Sequence, residues 1–107
     1  MELKDLQQKA LEIADKYSEL NQSQERPNWS AAEYMQAFVG DVGDLAKLVM
    51  AKNNFRTIDN HDQKIAHELS DCLWAILVLA RKLDIDLESA FTETMLTIEQ
   101  KIKSQMK

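Results

Sequence analysis

Hydrophobic residues recur every three to four positions along most of the chain, which is the spacing of one face of an α-helix. Four such stripes are present, and they run from Leu3 to Tyr17, from Phe38 to Val49, from Ile65 to Ala80 and from Leu87 to Ile102. No useful stretch alternates with the period of two that a half-buried strand requires. The chain has only two glycines and one proline, which is too few for the many turns of a β-rich domain. The pattern predicts an all-α bundle of four helices.

Polar residues mark the boundaries of the first two helices. The segment Asn21–Asn28, which contains the single proline, is polar and is expected to end the first helix. Ser30 and Glu33 have the spacing of a capping box. We therefore expect the second helix to begin at about Ser30 and to end at about Lys52.

The second half of the chain has similar signals. Residues 53–59 are predicted to form a loop, and Asn60 together with Gln63 is expected to cap a third helix that reaches Leu83. Asp86 is the predicted cap of the fourth helix, which is expected to fray near Lys103.

Length, charge and cysteine content narrow the class of protein. A chain of 107 residues is expected to form a single domain over residues 1–107. The net charge of -5 argues against a nucleic-acid-binding protein, which needs a basic face. The longest apolar run, from Cys72 to Ala80, is too short to cross a membrane, and the charged amino terminus shows no signal peptide. The single cysteine, Cys72, is expected to be a buried apolar residue, so we predict a cytoplasmic protein.

The third helix is apolar almost all round between Cys72 and Ala80, which indicates burial on more than one side. A monomer of this size would cover such a helix poorly. The sequence therefore predicts self-association, at least as a homodimer, with Trp74, Leu77 or Val78 near a subunit contact.

The candidate chemistry lies in the two middle helices, each of which carries two acidic residues three positions apart. These residues are Asp41 and Asp44 in the second helix and Glu68 and Asp71 in the third. The spacing puts both members of a pair on one helical face. Both pairs lie too far from a helix amino terminus for the helix dipole to stabilise them. Carboxylates among apolar neighbours need a compensating cation, so the pattern favours a divalent-metal site over two solvated faces.

Both glycines of the protein, Gly40 and Gly43, flank the first acidic pair inside the predicted helix. Each costs roughly 1 kcal/mol relative to alanine in a helix. We expect that a close helix or a ligand against the backbone requires the missing side chains.

The ligand types point to a particular metal. Four carboxylates with no necessary nitrogen or sulfur ligand favour Mg²⁺, with Mn²⁺ as a possible substitute. A di-iron site would require Glu-x-x-His motifs, which the third helix does not have. His67 is displaced about 100° round the helix from Glu68, so we expect it to be a poor ligand.

The arrangement Asp41-x-x-Asp44 followed by Glu68-x-x-Asp71 resembles the MazG-type family of nucleotide pyrophosphohydrolases, whose pattern is Glu-x-x-Glu followed by Glu-x-x-Asp. The surrounding residues are also similar: Gly40–Leu45 resembles the family's GEVGEL, Glu68–Leu73 its ELSDVL and Lys82–Leu87 its KLGIDL. The resemblance covers about residues 29–101. It implies a house-cleaning enzyme, built on dimers or pairs of dimers, that uses Mg²⁺ to cut a (deoxy)nucleoside triphosphate into monophosphate and pyrophosphate.

The resemblance implies that Asp41, Asp44, Glu68 and Asp71 hold the metal and catalyse the reaction. Two departures from the family pattern stand out. The first pair is Asp rather than Glu, which shortens each ligand by one methylene. In the last helix, Thr94 and Ile98 replace a Lys and an Asn that contact phosphate in the family, while Lys101 stands where Arg is usual.

Substrate binding is expected from an aromatic residue and several basic residues. Trp29 precedes the second helix, where the related dCTP pyrophosphatases carry aromatic residues; it is expected either to stack on a nucleobase or to form a hydrophobic staple with Tyr34. The candidates for phosphate binding are Lys52, Arg56, Lys64 and Lys101.

Two other functions stay open on the sequence. The first is a non-catalytic helical interaction module, in which the change from Glu to Asp marks a lost enzyme. The second is a phosphoribosyl-ATP pyrophosphohydrolase, which shares the fold type. The sequence names neither the nucleobase nor the sugar.

Overall fold

The structure is a computed structural model that describes residues 2–52 and 60–106. Within these ranges the chain forms four α-helices and no strand. The helices are α1 (Leu3–Ser23), α2 (Ala31–Lys52), α3 (His61–Lys82) and α4 (Leu87–Gln105). The predicted all-α architecture of four helices is confirmed.

Local hydrogen bonds explain where α1 begins and ends. At its start, the backbone N–H of Glu2 donates to the side chain of Asp5 over 3.0 Å, as part of a capping box. At its end, the N–H of Arg26 donates to the carbonyl of Asn21 over 2.7 Å, and Glu25 has a positive φ of 56°. The helix thus stops at Ser23, inside the polar segment that was expected to end it.

Glu33 fixes the start of α2. Its carboxylate accepts the backbone N–H of Ser30 over 3.1 Å and the Ser30 hydroxyl over 2.6 Å. The Ser30 hydroxyl therefore donates to Glu33 instead of accepting a backbone N–H, so only half of the predicted capping box forms. The predicted limits of α2 nevertheless agree with the structure to within one residue.

The two predicted caps of the later helices have different outcomes. Asp86 caps α4, because its side chain accepts the N–H of Ser89 over 3.2 Å. Asn60 does precede α3, but its backbone is left-handed and its side chain makes no capping hydrogen bond, so that prediction was wrong. A residue in the left-handed conformation does not aim its side chain at the first turn in the way an extended N-cap does. The predicted loop at residues 53–59 lies outside the described residues.

The core lies where α3 contacts α1 and α2, and the contact between α2 and α3 is the more extensive. Buried residues from all three helices form one cluster, which consists of Ala10, Ala14, Tyr34, Leu77 and Val78. Small residues on α1 let that helix approach α3 closely. Trp74 joins the two helices directly, because its indole N–H donates to the carbonyl of Ala10 over 3.0 Å.

This packing corrects the expected location of a subunit contact for two of the three named residues. Leu77 and Val78 are buried inside the chain against α1, so neither forms a free outer face. Trp74 contacts α1 but is only half-buried, so its place near a subunit contact stays a prediction. The apolar residues that α3 leaves exposed are instead Leu69, Leu73 and Ile76. The helix does bury residues on more than one side, but α1 and α2 supply most of the cover.

Cys72 is buried, as predicted, and has no disulfide partner. Burial raises the pKa of its thiol, and the neighbouring Asp41, Glu68 and Asp71 carboxylates raise it further. The thiol is thus kept protonated, which agrees with a role in packing.

The last helix, α4, makes little contact with the rest of the described chain. None of its residues is buried, and large apolar side chains such as Phe91 (59% exposed) and Leu96 (54% exposed) face outward. The radius of gyration is 17.3 Å, compared with roughly 13 Å for a compact domain of this length. One chain by itself therefore leaves much apolar surface uncovered. Among the described helices, none is both long enough and apolar enough to cross a membrane.

Candidate functional site

The contact between α2 and α3 brings carboxylates from the middle of both helices together. Asp41 and Asp44 lie one turn apart on α2, and Glu68 faces them from α3. Carboxylate oxygens of these three residues lie within 4.8 Å of one another. Asp41 and Glu68 are half-buried, whereas Asp44 is exposed.

A second group overlaps the first and includes a histidine. Donor atoms of His67, Glu68 and Asp71 lie within 4.8 Å of one another, so Glu68 belongs to both groups. The Nε2 atom of His67 is 3.1 Å from Oδ2 of Asp71. Sequence reasoning discounted His67 because of its angle to Glu68. The signal that it missed is that His67 precedes Asp71 by four residues, which places both on one helical face.

The electrostatics of the cluster favour a cation. Oε2 of Glu68 is buried and has no hydrogen-bond partner among the described residues. Burial raises the pKa of Glu68, and the negative charge of Asp41 is the next largest cause. Burial also raises the pKa of Asp41, followed by the charges of Asp71 and Asp44. A buried carboxylate oxygen without a partner is costly, and a bound cation would supply the missing interaction.

The donor set fits a hard divalent ion. The structure places the four predicted ligands in two overlapping groups: Asp41 and Asp44 lie with Glu68, and Asp71 lies with Glu68 and His67. Their carboxylate oxygens match the preference of Mg²⁺, and the exposed side of Asp44 leaves room for the waters that Mg²⁺ retains. The ring nitrogen of His67 belongs to the second group alone, and nitrogen is not a ligand that Mg²⁺ favours.

The two helical glycines have open space beside them. Apart from the nearby backbone of α2 itself, a Cβ atom built on Gly40 or Gly43 meets no described heavy atom within 4 Å. The expected close approach of another helix is therefore not present within the described part of the chain. A ligand or a second copy of the chain remains as a reason for the missing side chains.

A cavity of ≈ 570 Å³ adjoins the carboxylates, and Asp41 and Asp71 line it. Most of its apolar lining is aromatic and comes from Tyr17, Trp29, Tyr34 and Trp74. These rings form a continuous cluster in which Trp29 and Tyr34 lie 5.3 Å apart and Tyr34 and Trp74 lie 5.4 Å apart, both edge to face. The cavity thus combines carboxylates with an aromatic lining.

Trp29 makes one of the two interactions expected for it, and its predicted contact with a base stays a prediction. It packs against Tyr34 as the staple at the start of α2, and it also lines the cavity while 44% exposed. The structure is therefore compatible with a stabilising role and with a binding role for the same side chain.

Three polar residues that also line the cavity were missed by the sequence reasoning: Ser18 and Asn21 of α1, and Arg26 of the segment that follows. A signal for two of them was available. The buried stripe of α1, Ala10 and Ala14, continues at helical spacing to Ser18 and Asn21, where it becomes polar.

The candidate phosphate-binding residues differ in their surroundings. Lys52 forms an ion pair with Asp62, which links the end of α2 to the start of α3. Lys64 is exposed on α3, one turn before Glu68 and on the same face. Lys101 lies on the exposed α4. None of these three lysines lines the described cavity, and Arg56 lies outside the described residues.

The fold and the site define the class as a helical protein with a carboxylate cluster suited to a divalent cation beside an aromatic cavity. The family model of the MazG nucleotide pyrophosphohydrolase domain matches residues 30–105. The chain belongs to this family, which supports nucleotide pyrophosphohydrolase activity in general and dependence on a divalent metal. A search of curated proteins gives no match, and neither does a search of solved structures.

Charge repulsion in the cluster leads to a first prediction. Glu68→Gln removes the most central negative charge, so the metal-free protein should melt a few degrees higher than the wild type. The same change removes a ligand, so Mg²⁺ or Mn²⁺ should no longer raise the melting temperature as it does for the wild type. Thermal denaturation with and without the metal measures both effects.

Glu93→Gln on the exposed face of α4 is the matched control, because it removes the same charge away from the cluster. It should leave both quantities unchanged. A Glu68→Gln protein that melts lower without metal, or that keeps the full metal response, would show that the carboxylates are not a strained cation site.

Proposed function

We propose that the protein hydrolyses a (deoxy)nucleoside triphosphate to the monophosphate and pyrophosphate with Mg²⁺ bound at Asp41, Asp44, Glu68 and Asp71. The observation that carries this proposal is the adjacency of the carboxylate cluster to the aromatic cavity, with Asp41 and Asp71 common to both. A nucleotide has the matching composition, since its phosphates require cations and its base is a flat aromatic ring. Membership of the MazG family supports the same reaction class.

The residues have separate roles in this reaction. Aromatic rings of the cavity bind the base, and the carboxylates bind the cation that the phosphates require. When bound, Mg²⁺ supplies positive charge that neutralises the triphosphate and orients a water molecule. One carboxylate accepts the proton of the attacking water. The water oxygen bonds to phosphorus, and the bond between the α- and β-phosphates breaks to release pyrophosphate.

Two alternatives have less support. A non-catalytic interaction module would not require a buried, unpartnered carboxylate oxygen beside a cavity. A phosphoribosyl-ATP pyrophosphohydrolase would use the same carboxylates, and rescue of a histidine auxotroph would identify it.

We further propose that the protein assembles at least as a homodimer, with a tetramer as the larger form. Exposed apolar residues of α3, such as Leu69 and Leu73, and of α4, such as Phe91 and Leu96, form faces that the described chain does not cover. Because these faces belong to the same chain, a symmetric pair of copies could cover both.

The role of Asp71 provides the direct test of the activity. Asp71→Asn should abolish pyrophosphate release from a panel of nucleotides and should also remove the Mg²⁺-dependent rise in melting temperature, because the variant lacks a charged ligand. Asp84→Asn is the matched control: Asp84 lies after α3 with a φ of 56°, where asparagine is well tolerated. Wild-type turnover in the Asp71→Asn protein would show that the site is assigned wrongly.

The two roles of Trp29 are separated by kinetics and stability. If Trp29 stacks on the base, Trp29→Ala should lower kcat/KM about 10- to 100-fold. If Trp29 only staples α2 through Tyr34, the variant should lose stability while the folded enzyme keeps its kinetics. We expect the kinetic loss, because Trp29 lines the cavity. Unchanged kinetics at saturating Mg²⁺ would remove Trp29 from the site.

The assembly is tested by light scattering. The wild type should have at least twice the mass of one chain at micromolar concentration. Leu96→Glu should lower that mass, because a charge on the apolar face of α4 cannot be buried without a partner. Thr92→Glu, on an already polar part of the same helix, should not. A wild type of one chain mass would contradict the proposal.

A further inference from the structure

The wall of the cavity that α1 provides is polar, although it continues the face of α1 that is buried one and two turns earlier. Ala10 and Ala14 are buried against the core, and the next two positions of the same stripe are Ser18 and Asn21. Both are half-buried and both line the cavity. Their polar atoms are not among the described buried atoms without a partner, so they are open to a ligand in the cavity.

Neither the Ser18 hydroxyl nor the Asn21 amide forms a hydrogen bond within the described residues, although the backbone of Asn21 is well anchored. The Asn21 carbonyl accepts the N–H groups of Gln24 and Arg26 over 3.2 and 2.7 Å, which fixes the end of α1 and the segment after it. The free polar groups are therefore held in position beside the cavity.

Ser18 and Asn21 supply the hydrogen-bonding groups that the aromatic rings lack. Stacking on the exposed ring of Trp29 holds the face of any base, so it discriminates little between bases. An amide offers donors and an acceptor side by side, and a hydroxyl offers both in one atom. Such groups recognise the hydrogen-bonding edge of a base, where the four bases differ.

Ser18 and Asn21 lie outside the part of the chain that matches the family model. The family match begins at residue 30, so Ser18 and Asn21 both precede it, whereas the four carboxylates lie within it. A wall supplied from outside the matched domain is suited to set the preference of this particular chain.

We propose that Ser18 and Asn21 are specificity-determining residues that hydrogen-bond the edge of the nucleobase. This inference rests on the proposed function, because it concerns the substrate of the same site. The wall selects among nucleotides, while the carboxylates and aromatic rings serve all of them alike.

Asn21→Leu tests the inference, since leucine has nearly the shape of asparagine without its polar atoms. For the nucleotide that the wild type prefers, kcat/KM should fall about 10- to 100-fold, while the values for the poorer substrates should change little. Ser18→Ala, a smaller change, should shift the ratios in the same direction. Gln22→Leu is the matched control, because Gln22 is the exposed neighbour of Asn21 and does not line the cavity; its ratios should equal those of the wild type.

A binding measurement separates this inference from the proposed function. Because Trp29 and Trp74 line the cavity, their fluorescence should respond to a base that enters it. Wild-type titrations with four Mg²⁺-nucleotides should give different affinities that converge in Asn21→Leu, whether or not any of them is hydrolysed. An absence of turnover in the wild type would contradict only the proposed function. A uniform loss for all four nucleotides, or ratios unchanged in both Asn21→Leu and Ser18→Ala, would overturn the specificity role.

Discussion

The carboxylates of α2 and α3 repel one another, and the candidate site depends on their being held close together. Asp41, Asp44 and Glu68 bring negative oxygens within 4.8 Å of one another, and Glu68 also belongs to the group with His67 and Asp71. The packing of α2 on α3 holds them there and opposes their separation. Without a cation, this arrangement costs stability: burial raises the pKa values of Asp41 and Glu68, and the charges of the neighbouring carboxylates raise them further. A cation turns the same geometry into a binding site.

The aromatic cavity depends on the same helix contacts. Tyr34 lies at the start of α2 and Trp74 in the middle of α3, and their rings meet because the two helices are packed together. The indole N–H of Trp74 also donates a hydrogen bond to the carbonyl of Ala10, so α1 is fixed against the same ring. The helix that closes the core with Ala10 and Ala14 thus supplies the polar wall of the cavity a few residues later. Successive turns of α1 therefore pack the core and line the cavity.

The sequence predicted the helices and the residues of the acidic cluster because both depend on local spacing. Hydrophobic periodicity marks the helices, and acidic residues three apart share a face in any helix. It failed where the answer depended on how the helices are arranged. The facing partner of Leu77 and Val78 is α1 rather than another subunit, and the Asn60 cap depended on a backbone conformation that its side chain does not determine. The polar wall of α1 carries no known motif, so its meaning emerged only when a cavity was seen beside Ser18 and Asn21.

In the proposed reaction, the carboxylate cluster serves the cleavage of a nucleoside triphosphate between its α- and β-phosphates. Phosphorus-31 NMR of the wild-type reaction with Mg²⁺ tests this proposal, because it identifies the products rather than only their amount. We expect equal amounts of nucleoside monophosphate and pyrophosphate, and no reaction when the metal is chelated. Formation of nucleoside diphosphate and inorganic phosphate, or equal turnover without metal, would contradict it.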